Sequence, residues 1–416
     1  MGESLERRPR VAFLTPLNPL ASGISDYSEE LLPYLARHCD VHVYTADQLS
    51  PTSRVISDDF VVRDYSDLPR NLNQGQYDDL VIQLGNSPLH VACYDALLRH
   101  GGVAVFHDLN LSGIIGAKTL ARGNVAGFLR EMLPTAGIAA FTSVLVRFII
   151  SRQLPGPHDY WMNRAALRKS RAIIVHNEHA AVCLRSALTA MRISVPVWKV
   201  LHGVPMAPER RRVAVARQRA RLGLASTDFV VGSFGVLDES KRLSVALRAF
   251  RQFLRLVPNA VYLLVGRDCG GYPALVDSLG LTGRVRFSGH VDFETFLDDI
   301  VACDFCINLR YPSHGETSGA LLRMMSLGKP VAVTNRAQFR EFPEDVCIRV
   351  DPGPGEEETL CRAMYQMADN PEHRAAVGER ARSYVEEFHS LDQAARGYVE
   401  VIRHRCVPER RSALTG

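Results

Sequence analysis

Asp228-Phe229-Val230-Val231-Gly232-Ser233-Phe234-Gly235 is a short, mostly apolar run that ends on a glycine. It leads through Val236-Leu237-Asp238-Glu239-Ser240-Lys241-Arg242 into an apolar-periodic stretch over 243–254. The run has the length of a buried strand and the stretch has the period of a helix, so the segment reads strand, turn, helix. A glycine at the end of a strand marks a place where the backbone turns or lies close to something else. Lys241 and Arg242 fall at the start of the predicted helix, where the positive end of the helix dipole disfavours cations. A bound phosphate would resolve that conflict; two solvated basic side chains are the other reading.

The same alternation extends in both directions. Downstream, strand-like runs at 261–266, 285–289, 305–309 and 331–334 are followed by helical runs at 357–368, 371–388 and 391–404; upstream, runs at 11–14, 41–44, 80–84, 103–106 and 173–175 flank a helix predicted over 27–37. Strand-then-helix order implies parallel sheets covered on both faces. The 416 residues exceed what one hydrophobic core supports. The expected fold class is therefore α/β, with two Rossmann-like parallel-sheet domains facing a central cleft. The arginine-rich stretch after His202-Gly203-Val204-Pro205 reads as the linker, giving domains at 1–205 and 227–390, a linker at 206–226, and a C-terminal helix and tail at 391–416.

Composition narrows the function classes. The chain is 46% hydrophobic and 23% charged, as a globular protein is, and a net charge of +4 gives no reason to expect a nucleic-acid partner. Nine cysteines at irregular spacing, with no secretory signal, lead to the expectation of a reducing, cytoplasmic setting. Cys303-Asp304-Phe305-Cys306 matches C-x-x-C but sits in an apolar run that reads as a buried strand. The longest apolar stretch, 137–150 (GIAAFTSVLVRFII), is too short to span a bilayer and is broken by Arg147. It reads as a core helix, with peripheral membrane contact as the alternative.

Two loops are placed where ligands bind in such folds, beyond the carboxyl ends of strands. One is Asn18-Pro19-Leu20-Ala21-Ser22-Gly23-Ile24-Ser25-Asp26-Tyr27, which lacks the glycine spacing of a dinucleotide fingerprint. The other is Gly315-Glu316-Thr317-Ser318-Gly319, which opens a helix ending at Gly328-Lys329-Pro330 and offers hydroxyls and backbone amides to an anion. An ordinary capped helix is the plainer reading.

Taken in order, Gly235 to Lys241, Gly266, Gly289-His290-Val291, the 312–323 segment and Gly328-Lys329-Pro330 resemble the donor-binding half of family-four retaining glycosyltransferases, of GT-B architecture. The Gly23 loop, Val105-Phe106-His107-Asp108, Ile174-Val175-His176-Asn177 and Leu201-His202-Gly203-Val204 resemble that family's N-terminal landmarks, so the similarity spans about residues 10 to 400. The resemblance implies a hexosyltransferase that takes a nucleoside-diphosphate sugar as co-substrate, needs no other cofactor and no metal, and transfers to a hydroxyl acceptor in polysaccharide or glycolipid assembly. It also implies that the C-terminal helix returns to the N-terminal domain.

By the same resemblance His107, Lys241 and Glu316 are the catalytic candidates. Gly23, Gly235, Lys241, Arg242, Gly266, His290, Val291, Thr317, Ser318, Gly319 and Arg323 would line the donor site. Lys241 would neutralise the diphosphate, the Thr317-Ser318-Gly319 amides would cradle it, and His107 would lie near the transferred sugar. Retaining transfer of this kind needs the leaving phosphate stabilised and the acceptor hydroxyl held close, rather than a pair of catalytic carboxylates.

Two departures stand out. Val236 occupies the position of a usual phosphate-binding arginine, and Arg323 stands where a ribose-binding glutamate is usual, although a guanidinium accepts no hydrogen bond. An epimerase or phosphorylase of the same fold, and a non-catalytic sugar-nucleotide binder, are the alternative functions.

Overall fold

The structure, a computed structural model, describes residues 7–20, 22–46, 51–151, 160–206 and 215–406, with side chains through His404. Residues 207–214 of the predicted linker, Ala21 of the first loop and the tail from 407 lie outside the described residues. The chain divides into two compact units, residues 1–203, 314–317 and 391–416 in the first, and 204–313 and 318–390 in the second.

The first unit holds a seven-stranded sheet: β1 (Arg10–Leu14), β2 (Asp40–Thr45), β3 (Val61–Asp64), β4 (Asp79–Leu84), β5 (Gly102–Phe106), β6 (Ser170–Val175) and β7 (Val197–Lys199), in spatial order β3-β2-β1-β4-β5-β6-β7. Every pairing is parallel. The inner strands are apolar along their length because helices cover both faces. On one face, Tyr27, Leu31 and Leu35 pack with Leu391, Ala395, Tyr398 and Ile402. The first three belong to helix α1 (Gly23–Leu35), and the others to the C-terminal helix Leu391–Cys406, which joins this unit as the resemblance implied. Helix α1 starts four residues before the predicted 27, because the Ser22 hydroxyl accepts the Ile24 N–H and caps it there.

Beyond β5, α2 (Val125–Ala136) and α3 (Ile138–Ser151) pack on each other. The core-helix reading of 137–150 is corrected here. Only Val144 of α3 is buried, while Ile138, Ile149 and Ile150 are 70%, 63% and 78% exposed. A helix that meets the protein along one side leaves its other side to solvent whatever its composition, and α3 is apolar on both. Helix α4 (Glu178–Ala190) follows β6 and packs its Ala180, Ala181 and Leu184 into the second face of the sheet.

The second unit repeats the plan. It opens with α5 (Val215–Arg221) and builds a six-stranded parallel sheet from β8 (Phe229–Phe234), β9 (Ala260–Val265), β10 (Val285–Gly289), β11 (Phe305–Asn308), β12 (Val331–Thr334) and β13 (Ile348–Val350), in order β10-β9-β8-β11-β12-β13. Its helices include α6 (Leu243–Phe253), α7 (Phe293–Ala302), α8 (Gly319–Ser326), α9 (Glu356–Asp369) and α10 (Pro371–Phe388).

Reading 206–226 as linker is corrected in part. Helix α5 is docked on this unit, its Arg219 paired with Asp304 at 2.7 Å and its Gln218 and Arg221 both donating to the buried Asp299. Cys303 and Cys306 lie in the core, as the strand reading required. In both sheets the strand order reverses, between β1 and β4 and between β8 and β11. Such reversals open a crevice at the carboxyl ends of the strands, the place where α/β sheets bind ligands.

Candidate functional site

In the second unit three strand ends meet through glycines. Gly235 follows β8 at φ +91° and donates its N–H to Val265, while Gly266 follows β9 at φ +141° and donates to the carbonyl of Gly289 at 2.8 Å. A Cβ at Gly266 would lie 2.0 Å from the Gly235 carbonyl oxygen. Only glycine allows both that φ and that approach, so Gly235, Gly266 and Gly289 form one continuous backbone edge.

Lys241 is folded under this edge. It closes the short turn Glu239–Lys241, its ammonium donates to the Phe234 carbonyl, and a Cβ on Gly235 would fall 2.6 Å from Nζ. The side chain is buried. Burial and the neighbouring Arg310 lower its pKa to about 7, with Asp238 opposing them. Arg310 leaves the end of β11 with its N–H on the Thr334 hydroxyl, and the adjacent Tyr311 N–H on the Ser240 carbonyl ties the β11 loop to the Lys241 turn. A buried ammonium beside another cation is disfavoured in the charged form, and an anion placed next to it would favour that form.

Arg242 is not part of that cation pair. It occupies the left-handed region at φ +53° as it opens α6, and its guanidinium grips the buried carboxylate of Glu356 in a two-pronged pair, with Nε at 2.6 Å from Oε1. For this residue the conflict with the helix dipole is resolved by an internal carboxylate.

Helix α8 begins at Gly319. The Ser318 hydroxyl accepts from Leu321 N–H and donates to Asn308 Oδ1 at 3.1 Å, which fixes the cap beside the end of β11. With Leu321 N–H taken by that hydroxyl, the first-turn amides of Gly319 and Ala320 have no acceptor within the helix. Arg323 is 4% exposed and lies over the Phe293 ring at 5.0 Å. Next to Gly289, His290 is exposed and Val291 packs on the core of this unit. Lys329 serves the fold, since its ammonium donates to the carbonyls of Val301 and Cys303, both at 2.8 Å, and closes the end of α7.

The first unit places its candidates at the carboxyl ends of β4, β5 and β6. His107 N–H donates to Leu84, and its Nε2 lies 2.6 Å from Gln83 Oε1. Its ring stands 5.4 Å from Tyr27 and 4.8 Å from His176, and Tyr27 is tilted over His202 at 4.1 Å. Tyr27 Oη lies 3.4 Å from Tyr398 Oη. Desolvation, with His176 and His90 nearby, holds the His107 pKa well below the usual histidine value and favours the neutral ring.

Asn177 caps α4 through its Oδ1, and its Nδ2 donates to the Gly315 carbonyl at 2.8 Å and to the Thr317 hydroxyl at 3.0 Å. Glu316 is buried there, with one carboxylate oxygen accepting the His314 N–H at 2.6 Å. Gly23 opens α1, and a Cβ there would meet nothing within 4 Å, so its backbone has no steric need for glycine.

The predicted residues thus fall into two groups: Gly23, His107, Glu316 and Thr317 in the first unit, and Gly235, Lys241, Arg242, Gly266, His290, Val291, Ser318, Gly319 and Arg323 in the second. Gln83 and Tyr398 escaped the sequence reading, and Tyr27 entered it only as the last residue of the first loop, where the predicted helix begins. The available signal was Gln83 itself, an amide inside an otherwise apolar strand. Among the described residues no cluster of three or more His, Cys, Asp or Glu is placed to hold a metal ion, and no helix is long and apolar enough to cross a membrane.

Comparison with curated proteins by sequence gives no match. Among solved structures, Anabaena HepE in complex with UDP and glucose is similar, with TM-score 0.66 and 16% identity over 95% of this chain and 100% of that one. So are sucrose-phosphate synthase from Thermosynechococcus elongatus (TM-score 0.67, 17% identity, 95% and 99% covered) and a glycosyltransferase from Rickettsia africae (TM-score 0.66, 12% identity, 96% and 98% covered). The fold is therefore of GT-B type, and residues 215–384, which hold the glycine edge, Lys241 and α8, match the family model of glycosyl transferases group 1.

Proposed function

We propose that the chain is a retaining glycosyltransferase that moves a hexose from a nucleoside-diphosphate sugar to a hydroxyl of a glycan or glycolipid. The observation that carries this reading is Lys241, a buried ammonium with a pKa near 7, set beside Arg310 and under the Gly235–Gly266–Gly289 edge. A departing nucleoside diphosphate gains negative charge as the glycosidic bond breaks. A preorganised cation pair, aided by the first-turn amides of α8, stabilises that charge more than it stabilises the intact donor. The family match over 215–384 supports the same chemistry, as do the similar structures, one a complex with UDP and glucose and another named a glycosyltransferase.

In this reading His107, neutral and tied to Gln83, hydrogen-bonds a sugar hydroxyl, and Glu316 orients the transferred sugar. Arg323 changes the nucleotide contact: its guanidinium accepts no bond from ribose hydroxyls, so ribose is recognised through other acceptors. The exposed apolar face of α3 carries Ile138, Val146, Ile149 and Ile150. With exposed Arg130 and Arg147 on the same hairpin and exposed Arg122 in the turn before it, it suits an anionic membrane surface on which a glycolipid acceptor is presented.

The test is incubation with a panel of nucleoside-diphosphate sugars and hydroxyl acceptors, following nucleoside diphosphate release and the anomeric configuration of the product. The proposal expects release from at least one donor and a product with the donor's configuration. Phosphate-dependent turnover would favour a phosphorylase, and binding without turnover a non-catalytic binder.

A further inference from the structure

Strand β4 reads Asp79-Leu80-Val81-Ile82-Gln83-Leu84, and its glutamine has no exposure at all. The central strands of a parallel sheet are covered on both faces, so a primary amide there is costly unless it is fully engaged. Gln83 is engaged through its two oxygens, while its side-chain Nε2 makes no hydrogen bond among the described residues. Its main-chain carbonyl takes a hydrogen bond from His90 Nδ1 at 3.1 Å, and its side-chain Oε1 lies 2.6 Å from His107 Nε2. With the amide oxygen, which can only accept, turned to the ring, the matching tautomer of His107 carries its proton on Nε2. The amide also interacts with the Tyr398 phenol, which lies against Tyr27.

We infer that Gln83 is a positioning residue that holds His107 as the neutral Nε2–H tautomer, leaving the Nδ1 lone pair to accept a hydrogen bond from a sugar hydroxyl. Tyr398, on the C-terminal helix, borders the same amide. A ring with its proton on Nδ1 would present a donor at that edge and could not accept from the hydroxyl. The ionisable groups around His107 are Tyr27 on α1, His90, the adjacent Asp108, His176, His202 and Tyr398. The catalytic consequence of the tautomer rests on the glycosyl-transfer reading; the tautomer itself does not.

Long-range 15N NMR of the histidine side chains in the full-length protein tests the inference. The expected result is a protonated Nε2 and an unprotonated Nδ1 for His107, retained in Gln83→Glu and lost in Gln83→Leu. In Gln83→Glu the carboxylate favours the imidazolium, so the His107 titration should move up by at least one pH unit and carry the pH profile of turnover with it. Gln83→Leu should lower kcat at least tenfold while donor KM stays within twofold. A protonated Nδ1 in the wild type, an unmoved titration in Gln83→Glu, or wild-type kcat in Gln83→Leu would overturn it. Should no donor be turned over, the glycosyl-transfer reading fails, and the NMR result still decides the tautomer.

Discussion

The two units hold their chemistry in different ways. In the second, the key groups come from turns a few residues past strand ends, and their geometry is set by backbone: three glycines in contact and a lysine folded beneath them. In the first, they come from positions far apart in sequence, Tyr27, Gln83, His107, His176, His202 and Tyr398, brought together by the sheet and the returning C-terminal helix. Local backbone constraint leaves a mark on sequence as glycine at a fixed offset from a strand. A cluster built from six distant positions leaves only residue types that are ordinary one by one.

Substitutions that separate backbone constraint from side-chain chemistry would sharpen this contrast. The largest effect is expected for Gly266→Val. The new Cβ would enter the Gly235 carbonyl at 2.0 Å from a φ of +141°, and a loss of at least about 4 kcal/mol in urea denaturation is expected. A loss under about 1 kcal/mol would mean that the edge can relax and is not a fixed platform.

Next comes Arg242→Ala, which leaves the carboxylate of Glu356 buried without its partner and should cost about 3 kcal/mol. Most of that should return in the double variant with Glu356→Gln, and failure to recover would show that Arg242 does something other than pair with Glu356.

A smaller effect, confined to turnover, is expected for His107→Ala. On the proposed reading, in which His107 bonds the reacting sugar, this should lower kcat by about 10- to 100-fold, with nucleoside diphosphate affinity unchanged in a calorimetric titration. An equal loss of affinity would erase the division of labour between the two units.

Both parallel sheets could be read from the alternation of apolar runs and amphipathic stretches, and the glycines at 235, 266 and 289 were legible because strand ends that must turn or touch use glycine. The edge strands β3 and β13 are short and interrupted by charged residues, so neither shows an apolar run. Helix α5 hid in an arginine-rich stretch because its hold on the unit comes from ion pairs with Asp299 and Asp304 rather than from an apolar face. The sequence suggested a phosphate contact for Arg242 because its partner, Glu356, lies 114 residues away. The exposed face of α3 was misread because apolar content alone does not say which side of a helix meets protein.

The central claim is that Lys241 neutralises a bound diphosphate, and proton linkage tests it most directly. Its pKa in the free protein is near 7, against 10.5 unperturbed, and a bound anion favours the charged form. Binding should therefore take up a proton above pH 7, and affinity should fall as pH rises through 7, by up to about tenfold per unit, until the pKa of the complex is reached. The measurement is titration of nucleoside diphosphates into wild type and Lys241→Met at pH 8, in two buffers of different ionisation enthalpy. The account predicts uptake approaching one proton in the wild type, none in Lys241→Met, and at least tenfold weaker binding in the variant. Equal affinity in the two proteins, with no proton taken up by either, would contradict it.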